Sequence, residues 1–257
     1  MSTLDKATDL QRLHADPALL VLVNVWDVIS ARTVAGVPGT RALATASHSI
    51  AAAYGYPDGE QIPRDLMIEA VGRIAAAVDL PVTADLEAGY GDPGGTIERA
   101  IDVGIVGANL EDQLKPLPDA VRAVSQAVAA GERAGIPFVL NARTDAFLRA
   151  GDRTPDAVLA DAIERGRAYL DAGASTIFAP GLLDEPTVTA LVEALGERKV
   201  NLIAVPGSLP LDTMARLGVA RVSFGPWSQN VALTALEDIT AGVHAGGALP
   251  EGTRRLN

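Results

Sequence analysis

Short apolar segments rich in Val, Ile and Leu alternate with longer alanine-rich segments along the whole chain. The short segments have the length and composition of strands buried in a parallel sheet, and the long ones resemble helices. The predicted strands are residues 21–25, 41–46, 81–85, 106–110, 137–141, 176–179, 200–205 and 221–224. The pattern therefore predicts eight strands separated by helical segments.

Several of the helical segments have a proline close to their start. The clearest helices are predicted over residues 63–78, 119–134 and 155–172, and the last one over 228–245. Pro63, Pro118 and Pro155 stand at helix starts, where a missing backbone N–H costs little.

Eight β/α units in one chain predict a single closed barrel. A (β/α)8 barrel of the TIM type takes about 250 residues, and no linker divides this sequence. An open, doubly wound sheet is the alternative topology. However, the G-x-G-x-x-G turn of a dinucleotide-binding sheet does not follow the first strand. We therefore predict one α/β domain over residues 1–257.

Composition and charge narrow the possible partners. The net charge of −11 argues against nucleic acid and anionic membranes, but not against a small anion bound beside a local cation. The absence of cysteine excludes disulfides, thiolate metal ligands and a cysteine nucleophile. The N-terminal segment lacks the features of a signal peptide, and no apolar stretch reaches membrane-spanning length. We expect a cytoplasmic protein.

Polar and acidic residues follow the predicted strands at their carboxyl ends. In a (β/α)8 barrel these ends and the loops after them form the active site. The residues in these positions are Trp26, Asp27, Ser47, His48, Asp58, Asp85, Glu87, Glu111, Asp112, Arg143 and Asp145. We expect them to meet at one rim of the barrel.

The carboxylates on this rim predict a divalent metal site. Asp58, Asp85, Glu87 and Glu111 would repel one another, and each would raise the pKa of the others, unless a cation lay between them. Oxygen ligands without His or Cys favour Mg²⁺, with Mn²⁺ also possible. We predict Asp85 as the direct ligand and the other three as partners of the metal's waters.

Other rim residues have structural as well as functional interpretations. Asp27 is expected to cap the first helix, and Asp145 to orient Arg143. Asp112 is either a structural residue that pairs with a rim lysine or caps a helix, or part of the site. Arg143 is either an ion-pair partner or a bidentate ligand of a substrate carboxylate. His48 is a proton-transfer group or a hydrogen-bonded rim residue.

Six segments of the chain resemble the isocitrate lyase / phosphoenolpyruvate mutase superfamily. They are "NVWDVISARTVAGV", "TASHSIAAAYGYPDGE", "LPVTADLEAGYGD", "GANLEDQ", "NARTDAFL" and "GVARVSFGP", and they run in family order from Asn24 to Pro226. The resemblance implies a (β/α)8 barrel whose eighth helix is swapped between subunits of a homo-oligomer, a dimer or tetramer. It also implies an enzyme that binds Mg²⁺ and a small anionic 2-oxo acid.

The resemblance also implies roles for individual residues. Asp85 matches the direct metal ligand, and Asp58, Glu87 and Glu111 match the carboxylates that act through water. Trp26 and the turn of Thr45, Ala46 and Ser47 up to His48 match the substrate pocket, where backbone N–H groups take the substrate carboxylate. Arg143 matches the arginine that binds the substrate.

Two departures from the family pattern narrow the expected reaction. The isocitrate and methylisocitrate lyases carry a catalytic cysteine in a K-[KR]-C-G-H loop, and this chain has no cysteine. The mutases have a gating loop after the Glu-Asp pair. Here that region is "EDQLKPLPDAV", with Lys115 as its one basic residue. Mutase and phosphonopyruvate hydrolase chemistry are therefore disfavoured.

The sequence thus predicts a Mg²⁺-dependent lyase that cleaves a C–C bond in, or decarboxylates, a small 2-oxo acid such as oxaloacetate through a metal-stabilised enolate. Arg143 would orient a carboxylate, with Asp58 and His48 as further catalytic candidates. One alternative is a P–C bond mutase or hydrolase acting on phosphoenolpyruvate or phosphonopyruvate, in which Lys115 is catalytic. Another is a non-catalytic 2-oxo acid binding protein.

Overall fold

A computed structural model describes residues 1–256 as alternating strands and helices. The strands are β1 (Leu20–Leu22), β2 (Asn24–Val25), β3 (Leu43–Thr45), β4 (Val82–Asp85), β5 (Gly107–Glu111), β6 (Val139–Arg143), β7 (Thr176–Ala179), β8 (Val200–Ile203) and β9 (Arg221–Ser223). The helices are α1 (Thr3–Ala15), α2 (Val28–Ala35), α3 (Ser47–Ala53), α4 (Arg64–Ala76), α5 (Pro93–Asp102), α6 (Leu117–Arg133), α7 (Pro155–Asp171), α8 (Glu185–Leu195), α9 (Leu211–Arg216) and α10 (Trp227–His244).

The strands form a parallel barrel of the predicted TIM type, in which the first predicted strand is broken in two. β1 pairs with β9, and β2 pairs with β3 on the other side. Consecutive strands pair with one another from β2 to β9. The break follows from the side chain of Asn24, whose Oδ1 accepts from the backbone N–H groups of Phe224 and Gly225 at 2.7 and 2.9 Å. Hydrogen bonds to the Asn24 side chain therefore replace the backbone hydrogen bonds between strands where the barrel closes.

Strand β6 begins two residues later than the sequence predicts. Pro137 has no N–H to donate, and the N–H of Phe138 turns back to the carbonyl of Ile136, so the ladder starts at Val139. The strand also ends later than predicted, at Arg143, which the sequence analysis assigns to the following loop. As a result, the guanidinium of Arg143 is fixed to the barrel wall.

Helix α1, which the sequence analysis does not predict, packs against the residues at the amino ends of the strands. Ser2 and Asp5 form a capping box at its start. Its buried Leu10 and Leu13 cluster with Leu20 and Val106. α1 therefore covers the end of the barrel opposite the predicted site.

Helix α10 is the least buried of the long helices. Gln229 is its one buried residue within the described part of the chain. Val231, Leu233 and Leu236 expose more than half of their surface. Over residues 1–256, no helix is both long enough and apolar enough to cross a membrane.

Candidate functional site

A cavity of about 380 Å³ opens at the carboxyl ends of the strands, and we call it the mouth cavity. Residues from the ends of β2 to β9 and from the loops after them line it. They include Asn24, Ala46, Ser47, His48, Asp58, Asp85, Asn109, Arg143, Leu148, Phe178, Leu182, Ile203, Val205, Ser223 and Trp227. This is the rim that the sequence analysis identifies.

Asp85 ends β4 and is held by the turn that follows β3. The backbone N–H and the hydroxyl of Ser47 both donate to its Oδ2, at 3.1 and 2.8 Å. The backbone N–H of Asp85 donates to Thr45 Oγ1 at 3.0 Å. The carboxylate is thus fixed through one oxygen, and no residue among 1–256 donates a hydrogen bond to Oδ1. The N–H of Ser47, expected to take a substrate carboxylate, instead orients this aspartate.

Glu87 lies in a strained loop after β4. Its φ is 52°, in the left-handed region, and it is only 3% exposed. Tyr90 Oη donates to its Oε1 at 3.2 Å, and the backbone N–H of Glu60 donates to Oε2. Burial raises the pKa of Glu87 to about 7, and the negative charge of Asp85 contributes.

Glu111 and Arg143 pair across β5 and β6. They are register partners, and Arg143 Nη1 lies 2.8 Å from Glu111 Oε2. Arg143 Nε also donates to Asp145 Oδ1 at 2.7 Å, so Asp145 orients the guanidinium as expected. Burial raises the pKa of Glu111 to about 7 even though Arg143 opposes the shift. Burial would lower the pKa of Arg143, but Glu111 and Asp145 outweigh it and raise that pKa.

His48 and Asp58 form a solvent-exposed pair on the rim. His48 Nδ1 lies 3.4 Å from Asp58 Oδ2, and each side chain is more than half exposed. The pair lines the same cavity as Asp85. It is positioned to exchange protons with solvent at one edge of the cavity.

The donor set fits a cation that binds few protein oxygens directly. Among residues 1–256, no three His, Asp or Glu side chains are close enough to form a metal cage by themselves. Mg²⁺ usually takes one or two carboxylates and keeps several waters. Asp85 has an oxygen that accepts no hydrogen bond from the described residues, and the charges of Glu87 and Glu111 interact with that of Asp85. These features fit one direct ligand with supporting carboxylates.

Five predicted site residues do not line the mouth cavity: Thr45, Glu87, Glu111, Trp26 and Lys115. Trp26 lines an apolar groove between α2 and α10. Lys115 lines a separate cavity of about 290 Å³ on the other side of the Glu111–Arg143 pair. The structure therefore does not bring the side chain of Trp26 or Lys115 to Asp85.

Asp27 and Asp112 have structural partners. Asp27 Oδ1 accepts from the backbone N–H of Ser30 at 2.7 Å and caps α2, as expected. Asp112 is buried and accepts from Tyr169 Oη at 2.7 Å and Arg165 Nη1 at 3.2 Å. Its partners are thus an arginine and a tyrosine, and not the lysine or helix start considered from the sequence.

Sequence reasoning missed two asparagines that line the mouth cavity. Asn24 joins three strand ends, because its Nδ2 donates to the carbonyl of Thr45 at 2.7 Å while its Oδ1 binds the loop after β9. Asn109 is the register partner of Asp85 and accepts from Asn141 Nδ2 at 2.7 Å. Both lie inside segments already recognised as motifs, so buried amides at strand ends are the signal that could have identified them.

Comparisons with known proteins show the family of this chain. The family model described as phosphoenolpyruvate phosphomutase matches residues 10–244. An uncharacterised protein of Mycobacterium tuberculosis is 33% identical over 93% of this chain and 90% of its own length.

Two solved structures share the fold and much of the sequence. One, from Burkholderia cenocepacia J2315 and provisionally named a phosphonomutase, has a TM-score of 0.86 and 41% identity over 92% of this chain and 99% of its own. The other is oxaloacetate acetylhydrolase in complex with its product oxalate, with a TM-score of 0.86 and 27% identity over 98% and 91% of the two chains.

Relatives of this chain are named as lyases as well as mutases. The family model covers most of the sequence, and the structure is a parallel barrel as the resemblance implies. The chain therefore belongs to the phosphoenolpyruvate phosphomutase family, within the PEP mutase/isocitrate lyase superfamily of enzymes.

Proposed function

We propose that this protein is a Mg²⁺-dependent lyase that cleaves a C–C bond in a small 2-oxo acid, or decarboxylates it. The observation that carries the proposal is a cavity lined by a fixed aspartate, Asp85, and a single arginine, Arg143. Glu111 pairs with this arginine, and the charges of Glu87 and Glu111 interact with that of Asp85. When bound, Mg²⁺ would supply Lewis acidity toward the 2-oxo acid and stabilise the negative charge that develops as the bond breaks.

Asp85 would hold the metal directly through Oδ1, since Ser47 occupies Oδ2. Glu87, Glu111 and Asp58 would bind its water ligands. Ser47 and Thr45 then act by fixing the orientation of Asp85, which reduces the reorganisation that metal binding requires.

Arg143 would bind a carboxylate of the substrate. Its Nη1 and Nε are held by Glu111 and Asp145, which set the plane of the guanidinium. Nη2 donates to no residue in the described chain, so this NH₂ group is free to donate to a ligand. Fixing a bond donor in advance lowers the entropy cost of binding the substrate.

His48 and Asp58 would carry the proton that replaces the broken bond. They lie at the exposed edge of the cavity, 3.4 Å apart, where a proton can be exchanged with solvent. A carboxylate beside an imidazole orients it for such a transfer.

Two further observations favour a lyase over P–C chemistry. The position of Lys115, beyond the Glu111–Arg143 pair, leaves Arg143 as the one lysine or arginine in the mouth cavity among residues 1–256. A transferring phosphoryl group needs more positive charge than that. A relative of the same fold cleaves oxaloacetate, as its name states, and holds oxalate.

We also propose that α10 exchanges between subunits of a homo-oligomer, a dimer or tetramer. Its apolar residues Val231 and Leu236 are 70% and 59% exposed. An apolar groove of about 550 Å³ lies beside it, lined by residues such as Trp26 and Ile29. An exchanged helix would place these apolar residues against the barrel of another subunit.

The direct test is product release from a panel of 2-oxo and 2-hydroxy dicarboxylic acids, with Mg²⁺ and with EDTA. We expect metal-dependent formation of a 2-oxo acid such as pyruvate from at least one member. Phosphate release from phosphonopyruvate would instead support the P–C alternative. Metal-dependent oxalate binding without turnover of any compound would support the non-catalytic binding protein.

A further inference from the structure

The mouth cavity has two chemically different walls. The polar wall consists of Ser47, His48, Asp58, Asp85 and Arg143, on the side of β3 to β6. The apolar wall consists of Leu148, Phe178, Leu182, Ile203 and Val205, from β7, β8 and the loops after β6, β7 and β8. The metal and carboxylate chemistry proposed above uses the polar wall alone.

Two residues of the apolar wall are exposed leucines from separate loops. Leu148 is 55% exposed and Leu182 is 65% exposed, and both line the cavity. Phe178 also lines the cavity and is buried. Exposed apolar side chains that converge on one cavity mark a surface that gains free energy when a ligand covers it.

The positive charge in the cavity is insufficient for a ligand that reaches this wall with a carboxylate. Of the lining residues in the described chain, Arg143 is the single lysine or arginine, and two carboxylates already share its charge. A second carboxylate directed at Leu148 and Leu182 would lose water without gaining an ion pair, which is unfavourable.

From this juxtaposition we propose that the substrate carries an apolar, alkyl substituent that packs on Leu148 and Leu182, while its carboxylate and 2-oxo group face the polar wall. This inference rests on the proposed function and narrows its substrate class. It favours alkyl-substituted 2-oxo acids over those that extend into this region with a further carboxylate.

The test compares two ligands of the same shape. 5-Methyl-2-oxohexanoate and 2-oxoglutarate differ in having an isopropyl group or a carboxylate at the far end. Their affinities would be measured by calorimetry on the full-length protein with Mg²⁺, beside oxalate, which is too short to reach the apolar wall. Each methylene buried there should increase affinity about four-fold. We expect the isopropyl compound to bind at least about ten-fold more tightly than 2-oxoglutarate.

Leu182→Asn and Leu148→Asn locate the effect. Each should weaken binding of 5-methyl-2-oxohexanoate by about five-fold or more while leaving oxalate affinity within about two-fold. Leu4→Asn, at a half-exposed leucine of α1 remote from the cavity, is the matched control and should change neither.

The outcomes separate this inference from the proposed function. If oxalate binds, and 2-oxoglutarate binds as tightly as 5-methyl-2-oxohexanoate or more tightly, the proposed packing of an alkyl group on the apolar wall is wrong. The lyase proposal is then unaffected. A preference for the alkyl compound that survives both variants would also overturn the proposed packing. Failure of wild-type protein to bind oxalate with Mg²⁺ would contradict the proposed function, and this inference with it.

Discussion

The mouth and the interior of this barrel both contain buried ionisable groups, which are acidic at the mouth and basic in the interior. At the mouth, burial raises the pKa of Glu87 and Glu111 to about 7. In the interior, burial lowers the pKa of Arg221 to about 10 and that of His14 to about 3. In each region the charged form is disfavoured because water has been removed.

The two regions meet at Asn109. Its Oδ1 accepts from Asn141 Nδ2 and, at 3.4 Å, from Arg221 Nη2, while its register partner Asp85 belongs to the mouth. Arg221 is fully buried, and its Nε and Nη1 have no hydrogen-bond partner in the described residues. The Asn109 amide thus lies between the proposed metal site and a guanidinium that forms no ion pair within the described residues.

Access is what distinguishes the two regions. A cation or a substrate can enter the mouth and balance the charge there, so the cost of desolvated carboxylates can be recovered on binding. The interior is closed by α1, so charge there can be balanced only by neighbouring side chains or trapped water. Buried ionisable groups are therefore consistent with the proposed function at the mouth, and in the interior they are a structural cost.

The largest effect is expected from Asp85→Ala. Removing the proposed direct ligand should abolish Mg²⁺-dependent oxalate binding and lower turnover by about a thousand-fold or more, with the fold retained. Calorimetry and circular dichroism together would check this. Asp102→Ala, which removes the same charge from an exposed position on α5, should be silent. Unchanged oxalate binding by Asp85→Ala would remove the basis of the site.

A smaller loss is expected from Arg143→Lys. Lysine keeps the positive charge, but one ammonium group cannot contact both Glu111 and Asp145 in fixed geometry while also donating to the substrate. Substrate KM or oxalate Kd should rise by about ten- to a hundred-fold. Arg12→Lys, at an exposed position on α1, is the control. An unaltered KM would show that Arg143 does not bind substrate.

The mouth should also make metal-free protein less stable as pH rises. The folded pKa of Glu87, about 7, lies above the ordinary 4.5, so the folded state holds more protons between these values. Its stabilising contribution to the free energy of unfolding is therefore present below about pH 4.5 and is lost as pH rises to about 7. The loss amounts to about 1–3 kcal/mol. Urea unfolding in EDTA would measure this change.

Glu87→Gln separates this effect from the general repulsion of an acidic protein, because it removes one titrating group and leaves the others. The variant should lose less stability than wild type between about pH 5 and about pH 7.5. Identical pH profiles for the two proteins would argue against a raised pKa at Glu87. Added Mg²⁺ should stabilise wild type most at the higher pH.

The interior should show the opposite and smaller dependence on pH. The folded pKa of His14, about 3, lies below the ordinary 6.5, so its contribution is present above about pH 6.5 and is lost as pH falls. Between about pH 7 and pH 5, wild type should lose about 1–2 kcal/mol relative to His14→Leu. His244→Leu, at an exposed histidine, should follow wild type. Parallel profiles for His14→Leu and wild type would contradict burial of a neutral imidazole.

Much of the barrel and its rim could be predicted because both depend on short-range pattern. Parallel strands end at the same rim, so residues that follow them in sequence meet in space. This is why Asp85, Glu111 and Arg143 are neighbours, as expected. The pattern of strands gave no sign that Asn24 would break the first one, because that depends on its contact with the loop after β9.

The remaining differences depend on the direction of loops and on packing across the barrel. Lys115 and Trp26 follow strands as the other site residues do, yet their segments turn away from the cavity. Leu148 ends the segment "NARTDAFL" and Leu182 lies in no recognised segment, and the two come together through separate loops. Spacing along the chain contains no information about such convergence.

The most direct measurement of the central claim is calorimetric titration of wild-type protein with oxalate, in Mg²⁺ and in EDTA. A chelating dianion needs a cation at Asp85, since the mouth is otherwise acidic. We expect one oxalate per chain in Mg²⁺ and none in EDTA. Equal binding in both conditions, or in neither, would contradict a metal-dependent 2-oxo acid site at the mouth of this barrel.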